Sequence, residues 1–167
     1  MRDGTPRRNL QALGDVVRGM TLQGEYEPSK QQWVREQVEK YEATGGREAN
    51  TLRGHDEWPI VVITSRGAKS GKLRKNPVMR VEHDGVYAAA ASYGGSAEHP
   101  VWYHNFVAHP EVELQDGPEP HLYRARIAEG EERSTWWKRS VDQYAPYAEY
   151  QERTDREIPV FLLERVS

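Results

Sequence analysis

Residues 76–91 read NPVMRVEHDGVYAAAA and are built around the dipeptide Asp84-Gly85. Asp-Gly supplies the positive φ angles that a tight reversal between two strands requires. Apolar runs flank the dipeptide on both sides and have the length of short strands. The segment therefore predicts a β-hairpin and, with it, an antiparallel sheet.

Other segments extend this sheet. A second hairpin is predicted where the turn at 116–118 separates Val112–Gln115 from Leu122–Ala128, whose side chains alternate. Pro59–Thr64 is β-branched and almost wholly apolar, which is typical of a strand covered on both faces. Ile158–Leu163 is a further apolar run and predicts the last strand.

Helical spacing of apolar residues predicts three helices around these strands. The first is expected to be capped by Ser29 and to end at Gly45-Gly46. Its apolar face would consist of Trp33, Val34, Val38 and Tyr41. His99–His109 predicts a short helix between prolines, and Glu129–Tyr144 one with an acidic start. Together the elements predict a mainly antiparallel α+β fold, barrel-like rather than doubly wound.

Composition narrows the classes of function. The 167 residues suffice for one domain, and 23 basic against 26 acidic residues give no reason to expect nucleic-acid binding. Without cysteine, disulfides, thiolate chemistry and the commoner zinc sites are excluded, which fits a cytoplasmic protein. Histidines 99, 104 and 109 are five residues apart and do not share a helix face, so no metal site is expected.

The first 28 residues differ from the rest of the chain. They mix Gly and Arg with scattered apolar residues and predict a flexible N-terminal arm (1–28) ahead of one domain (29–167). The arm lacks the continuous apolar run of a signal peptide or membrane span. Its mixture of Arg with Leu, Val and Met would still allow contact with the cytoplasmic face of a membrane.

A basic segment follows the predicted strand Pro59–Thr64. Residues 66–75 read RGAKSGKLRK and contain five cations and two glycines. Glycine lets backbone N–H groups approach an anion closely, while lysine and arginine supply charge. Because a strand follows instead of a helix, this is not a nucleoside-triphosphate loop. A solvated basic turn is an equally good interpretation of this composition.

Two further segments suggest a pocket for a flat molecule. Residues 91–96, ASYGGS, offer little side-chain bulk, although an ordinary loop is the commoner explanation. Tyr144, Tyr147 and Tyr150 are spaced by three and are followed by a strongly polar stretch. Such a stripe is more often core than site, but aromatics beside polar groups also typify substrate pockets. Trp102 is core or a wall for a planar ligand.

Five motifs in one order carry a resemblance to a known family. They are RGAKSG (66–71), SYGG (92–95), HPVWYHN (99–105), HPEVELQ (109–115) and YAEYQERTDREIPV (147–160). This series is similar to the deazaflavin-dependent nitroreductases and quinone reductases of actinobacteria, and the match runs from Trp33 to the C-terminus.

The resemblance implies a fold, a cofactor and site residues. The fold would be a split β-barrel of the type that binds flavin mononucleotide, with an open groove that holds coenzyme F-420, a reduced 8-hydroxy-5-deazaflavin, and no metal. Phosphate and polyglutamate tail would contact the basic segment. The residues of this segment that bind them would be Lys69, Ser70 and Arg74. Ala68 stands where relatives often carry a further basic residue, and Arg66 or Lys72 would compensate for it. The ring would lie beside Ser92, Tyr93, Gly94, Gly95 and Trp102. Asn76, Pro77 and Met79 would also bind the cofactor.

The same resemblance implies the reaction. Hydride would pass to an electron-poor small molecule: a quinone, an activated alkene or a nitroaromatic compound. Tyr144, Tyr147 and Tyr150 would line the substrate side, and a hydroxyl of Tyr147 or Ser92 would stabilise the developing negative charge. A non-catalytic carrier of a deazaflavin or flavin is the alternative. Met79 stands where the nitroimidazole-activating relative has an aromatic residue, which argues against that substrate.

Overall fold

The computed structural model describes residues 22–166, which form four α-helices and eight strands. The helices are α1 (Gln32–Thr44), α2 (Val101–Ala108), α3 (Gly130–Gln143) and α4 (Pro146–Glu152). The strands are β1 (Thr51–Leu52), β2 (His55–Arg66), β3 (Leu73–Met79), β4 (Val81–His83), β5 (Val86–Ala90), β6 (Glu111–Gln115), β7 (Pro120–Ile127) and β8 (Val160–Arg165).

All strand pairs are antiparallel. The sheet curls so that its two ends are joined by the consecutive strands β3 and β4. Its order is β1-β2-β6-β7-β8-β5-β4, and β3 pairs with the other edge of β2. Only Arg80 separates β3 from β4, so a single stretch of chain serves β2 at one end of the sheet and β5 at the other. Between β3 and β5 themselves the described residues form no ladder. The result is a barrel that is split along the outer edge of β3.

The core occupies both faces of β2, as its apolar sequence predicted. Val61 and Ile63 face the inside of the barrel, where they pack with Phe106 of α2 and Phe161 of β8. The alternate residues of β2 face a second cluster, which contains the buried side of α1. The strand thus holds the barrel interior on one side and the α1 layer on the other.

The second predicted hairpin is confirmed, and so is the α+β split-barrel fold with flanking helices. The first hairpin is confirmed only beside its turn, where residues 81–83 pair with 86–88, while residues 76–79 pair with β2 instead. Asp84 and Gly85 have φ angles of 52° and 83°, which are the left-handed values that a tight turn needs. Gly117 likewise has φ 104° in the turn between β6 and β7.

The predicted start of the first helix is wrong. Helix α1 begins at Gln32 with Gln31 as its N-cap, and the Ser29 hydroxyl accepts only the Gln31 N–H at 3.1 Å. Trp33 does not belong to the buried face, since 36% of it is exposed. The buried positions are Val34, Gln37, Val38 and Tyr41.

Other element bounds also moved. Strand β2 is longer at both ends than Pro59–Thr64, and β8 starts at Val160, two residues later than expected. The tyrosines do not share one helix: Tyr144 lies between α3 and α4, while Tyr147 and Tyr150 lie on α4.

Most of the predicted N-terminal arm lies outside the described residues. Its last part is held against β3: Leu73 N–H donates to the Glu25 carbonyl at 2.7 Å, and Glu27 N–H donates to the Leu73 carbonyl at 2.9 Å. Among the described residues, no helix has the length and apolar character to cross a membrane.

Candidate active site

A cavity of about 580 Å³ opens where the barrel is split. Its floor is β3, one end is the loop after β5, and helices α1, α2 and α4 form its walls. Most of the residues that the sequence suggested for a cofactor or substrate line it: Arg74, Asn76, Pro77, Met79, Ser92, Tyr93, Gly94, Trp102, Tyr144, Tyr147 and Tyr150. A concave, largely apolar space with a few polar groups is the usual form of a small-molecule site.

Four of the suggested residues do not line this cavity: Arg66, Lys69, Ser70 and Gly95. Gly95 has a packing role, because a Cβ there would lie 2.6 Å from the Tyr150 carbonyl oxygen. By contrast, a Cβ at Gly94 would meet nothing within 4 Å. Of the two glycines, therefore, Gly94 leaves space at the cavity and Gly95 lets α4 pack against the loop.

The loop after β5 has an unusual backbone. Tyr93 has φ 46°, a left-handed angle rarely adopted by an aromatic residue, and Gly94 and Gly95 continue with positive φ. The Tyr93 ring is 60% exposed at the cavity. Ser92 is 8% exposed, and its hydroxyl makes no hydrogen bond with any described residue. A buried, unpartnered donor in a cavity wall is suited to binding a polar atom of a ligand.

Arg156, which the sequence analysis did not single out, holds this loop. Its guanidinium donates to the carbonyl oxygens of Ser96 (2.9 Å), Ala91 (3.1 Å) and Ser92 (2.8 Å). It also lies 3.0 Å from Nδ1 of His99, whose ring stacks on Tyr103 with centroids 3.9 Å apart. Nothing local in the sequence indicates these contacts, because their partners lie 57 to 65 residues earlier.

The three tyrosines form one aromatic wall. The hydroxyls of Tyr144 and Tyr150 are 2.9 Å apart and hydrogen-bonded to each other. Tyr147 packs edge-on against Tyr144, with ring centroids 4.8 Å apart, and is only 4% exposed. Among the described residues, no group bonds its hydroxyl. Burial, followed by the neighbouring tyrosines, raises the pKa of Tyr147, so that its phenol stays protonated at neutral pH.

The basic loop, residues 66–75, adjoins the cavity through Arg74, but four of its five cations already have partners. Arg66 donates to the carbonyls of Gly71 (2.9 Å) and Gln23 (2.8 Å). Lys69 is exposed, and the Ser70 hydroxyl accepts the Lys72 N–H at 3.1 Å.

Acidic residues pair with three further cations of this loop. Lys72 lies 3.7 Å from Glu25, and Arg74 lies 3.6 Å from Glu27. Both glutamates belong to residues 23–27, here called the strap, which runs along the start of β3. Lys75 pairs with Glu42 of α1. An anion that used this loop would compete with the strap for Lys72 and Arg74.

Two buried side-chain amides of the cavity lining, those of Asn105 and Gln37, were also not predicted as site residues from the sequence. Asn105 of α2 accepts the Ala68 N–H at 2.9 Å and so ties the basic loop to α2. Gln37 of α1 donates to the carbonyls of Ala49 and Thr51, but its own side-chain oxygen is buried without a partner. Amphipathic spacing places Gln37 on the buried face of α1, which is the one signal that would have marked it.

The described residues contain no group of three or more His, Asp or Glu side chains that could hold a metal ion. The histidines nearest the cavity serve the packing of its rim, where His99 bonds Arg156 and contacts His104 at 6.1 Å between ring centroids.

A split barrel with an apolar cavity at its open edge, free hydroxyls inside it and a cationic loop beside it defines the class of cofactor-binding split-barrel oxidoreductases. Within this class, the chain belongs to the F420H(2)-dependent quinone reductase family, whose model matches residues 33–165. The match confirms the resemblance that the five sequence motifs indicated.

Individual relatives agree with this assignment. A Mycobacterium tuberculosis protein named F420H(2)-dependent quinone reductase is 30% identical over 128 residues, which are 75% of this chain and 85% of that protein. A second protein from the same species is 35% identical over 105 residues, which are 63% of this chain and 88% of that protein.

Two solved structures are similar in sequence and fold. The structure of an F420-H2 dependent reductase (FDR-A) is 56% identical with a TM-score of 0.61, over 64% of this chain and 94% of that chain. A domain-swapped dimer is 50% identical with a TM-score of 0.64, over 81% of this chain and 100% of that chain.

Proposed function

We propose that this protein transfers a hydride from reduced coenzyme F-420 to a quinone or another electron-poor acceptor in the cavity at the split of the barrel. The observation that carries the proposal is the combination, in one cavity, of apolar walls with two unpartnered hydroxyls, those of Ser92 and Tyr147. Family membership supplies the cofactor class.

The residues present fit a deazaflavin. Trp102 and Met79 offer apolar surface for a ring, and the Ser92 hydroxyl offers a donor. The orphaned side-chain oxygen of Gln37 offers a buried acceptor on the α1 side of the same cavity. For a phosphate and acidic tail, Arg74 and Lys69 are the candidates, because Arg74 lines the cavity and Lys69 is exposed. One cavity and the loop beside it thus offer apolar surface and polar atoms for a ring and cations for a phosphate and acidic tail.

Bound reduced deazaflavin supplies a hydride, which is two electrons with one proton. A quinone that takes up this hydride needs one further proton to become a hydroquinone. Tyr147 is the residue best suited to deliver it, because its buried phenol lines the cavity and stays protonated. The hydroxyls of Tyr144 and Tyr150, bonded at 2.9 Å, keep the neighbouring rings in place. Solvent returns the proton to Tyr147 after each turnover.

Negative charge that develops on the acceptor oxygen needs donors that are already in position. The Ser92 hydroxyl and the Tyr147 hydroxyl serve this purpose, since neither has to break a bond within the protein. Quinone, activated alkene and nitroaromatic acceptors all gain negative charge on an oxygen atom, so one arrangement serves them all.

The location of the reaction is a further part of the proposal. A chain without cysteine is compatible with the reducing cytoplasm. Contact of residues 1–28 with the membrane would bring the cavity near membrane-held quinones. Liposome flotation of the whole chain and of a form that begins at residue 29 tests this contact, and equal flotation of the two forms would exclude it.

The function is tested by anaerobic titration of the protein with coenzyme F-420, with flavin mononucleotide as the control ligand. Oxidation of the reduced cofactor is then followed by absorbance with menadione or a cyclic enone as acceptor. Deazaflavin binding together with acceptor-dependent oxidation is the expected result. Binding without oxidation of any acceptor would favour the carrier alternative, and binding of flavin mononucleotide alone would contradict the cofactor assignment.

A further inference from the structure

Arg156 collects backbone carbonyl groups from the loop that carries Ser92. Three carbonyl oxygens, those of Ala91, Ser92 and Ser96, accept from its guanidinium at 2.8 to 3.1 Å. Arg156 does not line the cavity, whereas Ser92, Tyr93 and Gly94 do. The peptide that joins Ser92 to Tyr93 thus connects two residues of the cavity lining and has the arginine against its carbonyl group.

The geometry of a trans peptide turns this contact into an orientation. The C=O and N–H of one peptide unit point in opposite directions because the unit is planar. The Ser92 carbonyl accepts from Arg156 at 2.8 Å and from the Gly95 N–H at 2.9 Å, so the Tyr93 N–H points away from both donors. No described residue accepts a hydrogen bond from this N–H. Tyr93 has a left-handed φ of 46°, which is a strained angle for an aromatic residue.

We propose that Arg156 is the positioning residue that aims the Tyr93 N–H, beside the Ser92 hydroxyl, into the cavity, and that its charge strengthens this pair of donors. A cation on the carbonyl side polarises the peptide, so that its N–H binds negative charge more strongly. This inference rests on the proposed function and extends it: the donor pair recognises an electron-rich oxygen or nitrogen atom of the reduced deazaflavin ring.

The arrangement predicts a preference between the two oxidation states of the cofactor. Reduction makes the ring electron-rich, so a strengthened donor pair stabilises the reduced form more than the oxidised form. Substitution of Arg156 by glutamine removes the charge but keeps a side chain able to donate. We expect Arg156→Gln to weaken binding of reduced deazaflavin by about tenfold, with less than about a threefold change for the oxidised form.

The matched control is the neighbouring arginine of the same segment. Arg153 also reaches the loop, since it donates to the Gly94 carbonyl at 3.3 Å, but it is exposed and stacks on the Tyr150 ring. Arg153→Gln makes the same charge change without altering the Ser92–Tyr93 peptide, so the ratio of the two dissociation constants should stay as in the parent protein. Arg156→Lys, which keeps the charge, should recover part of the preference.

The experiment is an anaerobic titration of the parent protein and these variants with oxidised and with reduced coenzyme F-420. Equal weakening of both forms, or no change in either, would overturn the inference. A second measurement needs no cofactor: in protein labelled with ¹⁵N-tyrosine, the amide signal of Tyr93 should shift in Arg156→Gln and stay in place in Arg153→Gln. An unmoved Tyr93 signal would refute the positioning role. Failure of the parent protein to bind deazaflavin would instead refute the proposed function.

If Arg156→Gln does not fold, Arg156→Ala is measured with and without added guanidinium ion. Recovery of the preference for reduced deazaflavin on addition of the ion supports the inference. Absence of recovery in a folded Arg156→Ala protein contradicts it.

Discussion

Tyr147 combines properties that the neighbouring tyrosines lack. Its ring is almost fully buried, and no described residue bonds its hydroxyl, whereas the hydroxyls of Tyr144 and Tyr150 are bonded to each other. The sequence placed all three on the substrate side by resemblance. Only the folded chain distinguishes the phenol that is free to act on a ligand from the two that hold the wall together.

Replacing Tyr147 by phenylalanine tests this difference. Tyr147→Phe keeps the ring packing, so we expect kcat for quinone reduction to fall about a hundredfold while deazaflavin binding changes by less than about twofold. Steady-state kinetics and anaerobic titration measure the two quantities. Tyr150→Phe is the control, because the hydroxyl that it removes is already hydrogen-bonded to Tyr144. Equal losses in the two variants would contradict a special role for Tyr147.

His99 makes the stability of the loop depend on pH. Burial, then the charges of Arg156 and His104, lower the pKa of His99, because a proton on Nδ1 would face the guanidinium. In the unfolded chain, the pKa of a histidine is about 6.5. At pH values between that pKa and the lower pKa of His99 in the native protein, the unfolded chain therefore binds more protons than the native chain. Stability rises with pH in this window and is lost as pH falls through it.

We expect the melting temperature to fall as the pH is lowered from about 7.5 to about 5.5, and the slope to be smaller in His99→Asn. Asparagine can still accept a hydrogen bond from Arg156 but does not titrate. His109→Gln serves as the control, and thermal denaturation at several pH values is the measurement. The same pH dependence in His99→Asn and in the parent protein would exclude His99 as its source.

At the level of elements, the strap and the basic loop form one electrostatic unit. Glycines and cations marked the loop in the sequence as a site for anions. The structure adds that acidic side chains from residues 23–27 are placed against two of these cations. No sequence pattern reveals this pairing, because it depends on the tertiary contact in which Tyr26 forms a parallel bridge with Leu73.

Removal of the strap's charge should therefore favour binding of an acidic cofactor tail. We expect the double variant Glu25→Gln, Glu27→Gln to bind coenzyme F-420 about three- to tenfold more tightly, with the larger effect at low salt. A deazaflavin without phosphate and tail should bind as before. The control, Glu119→Gln with Glu131→Gln, changes the net charge equally at exposed positions. Tighter binding of the tail-free compound, or an equal effect in the control, would contradict competition by the strap.

At the level of the whole molecule, Phe161 joins the barrel interior to the helix that walls the cavity. It is 1% exposed, and its ring lies 5.1 Å from Phe106 and 5.9 Å from Trp102 between centroids. The cavity thus depends on the same packing that holds the barrel together.

Phe161→Ala should lower the free energy of unfolding by about 3–5 kcal/mol, because the surrounding side chains cannot fill the space. Urea denaturation measures this change. Ile127→Ala on β7, where the side chain is 38% exposed, should cost less than about 1 kcal/mol. A small effect at Phe161 would show that the interior relaxes around the lost ring.

Local chemistry determined much of this protein from sequence alone. The Asp-Gly turn, the alternating strands and the apolar run of β2 depend on neighbours within a few residues, so the antiparallel α+β fold and most elements were predictable. The ordered motifs identified the family, and most of the residues that the resemblance suggested line the cavity. Helix α1 was predicted with the wrong start because Ser29 has the chemistry of a cap but bonds the turn before the helix.

Only the tertiary structure decided which groups meet across long stretches of chain. Arg156 reaches carbonyl groups about sixty residues earlier, the strap covers the cations of the basic loop, and Gln37 brings an unpartnered oxygen to the cavity wall. These contacts follow from the curling of the sheet, which brings the outer edge of β3 and the end of β5 to opposite sides of one cavity. The sequence records the side chains, but their partners depend on closure of the whole barrel.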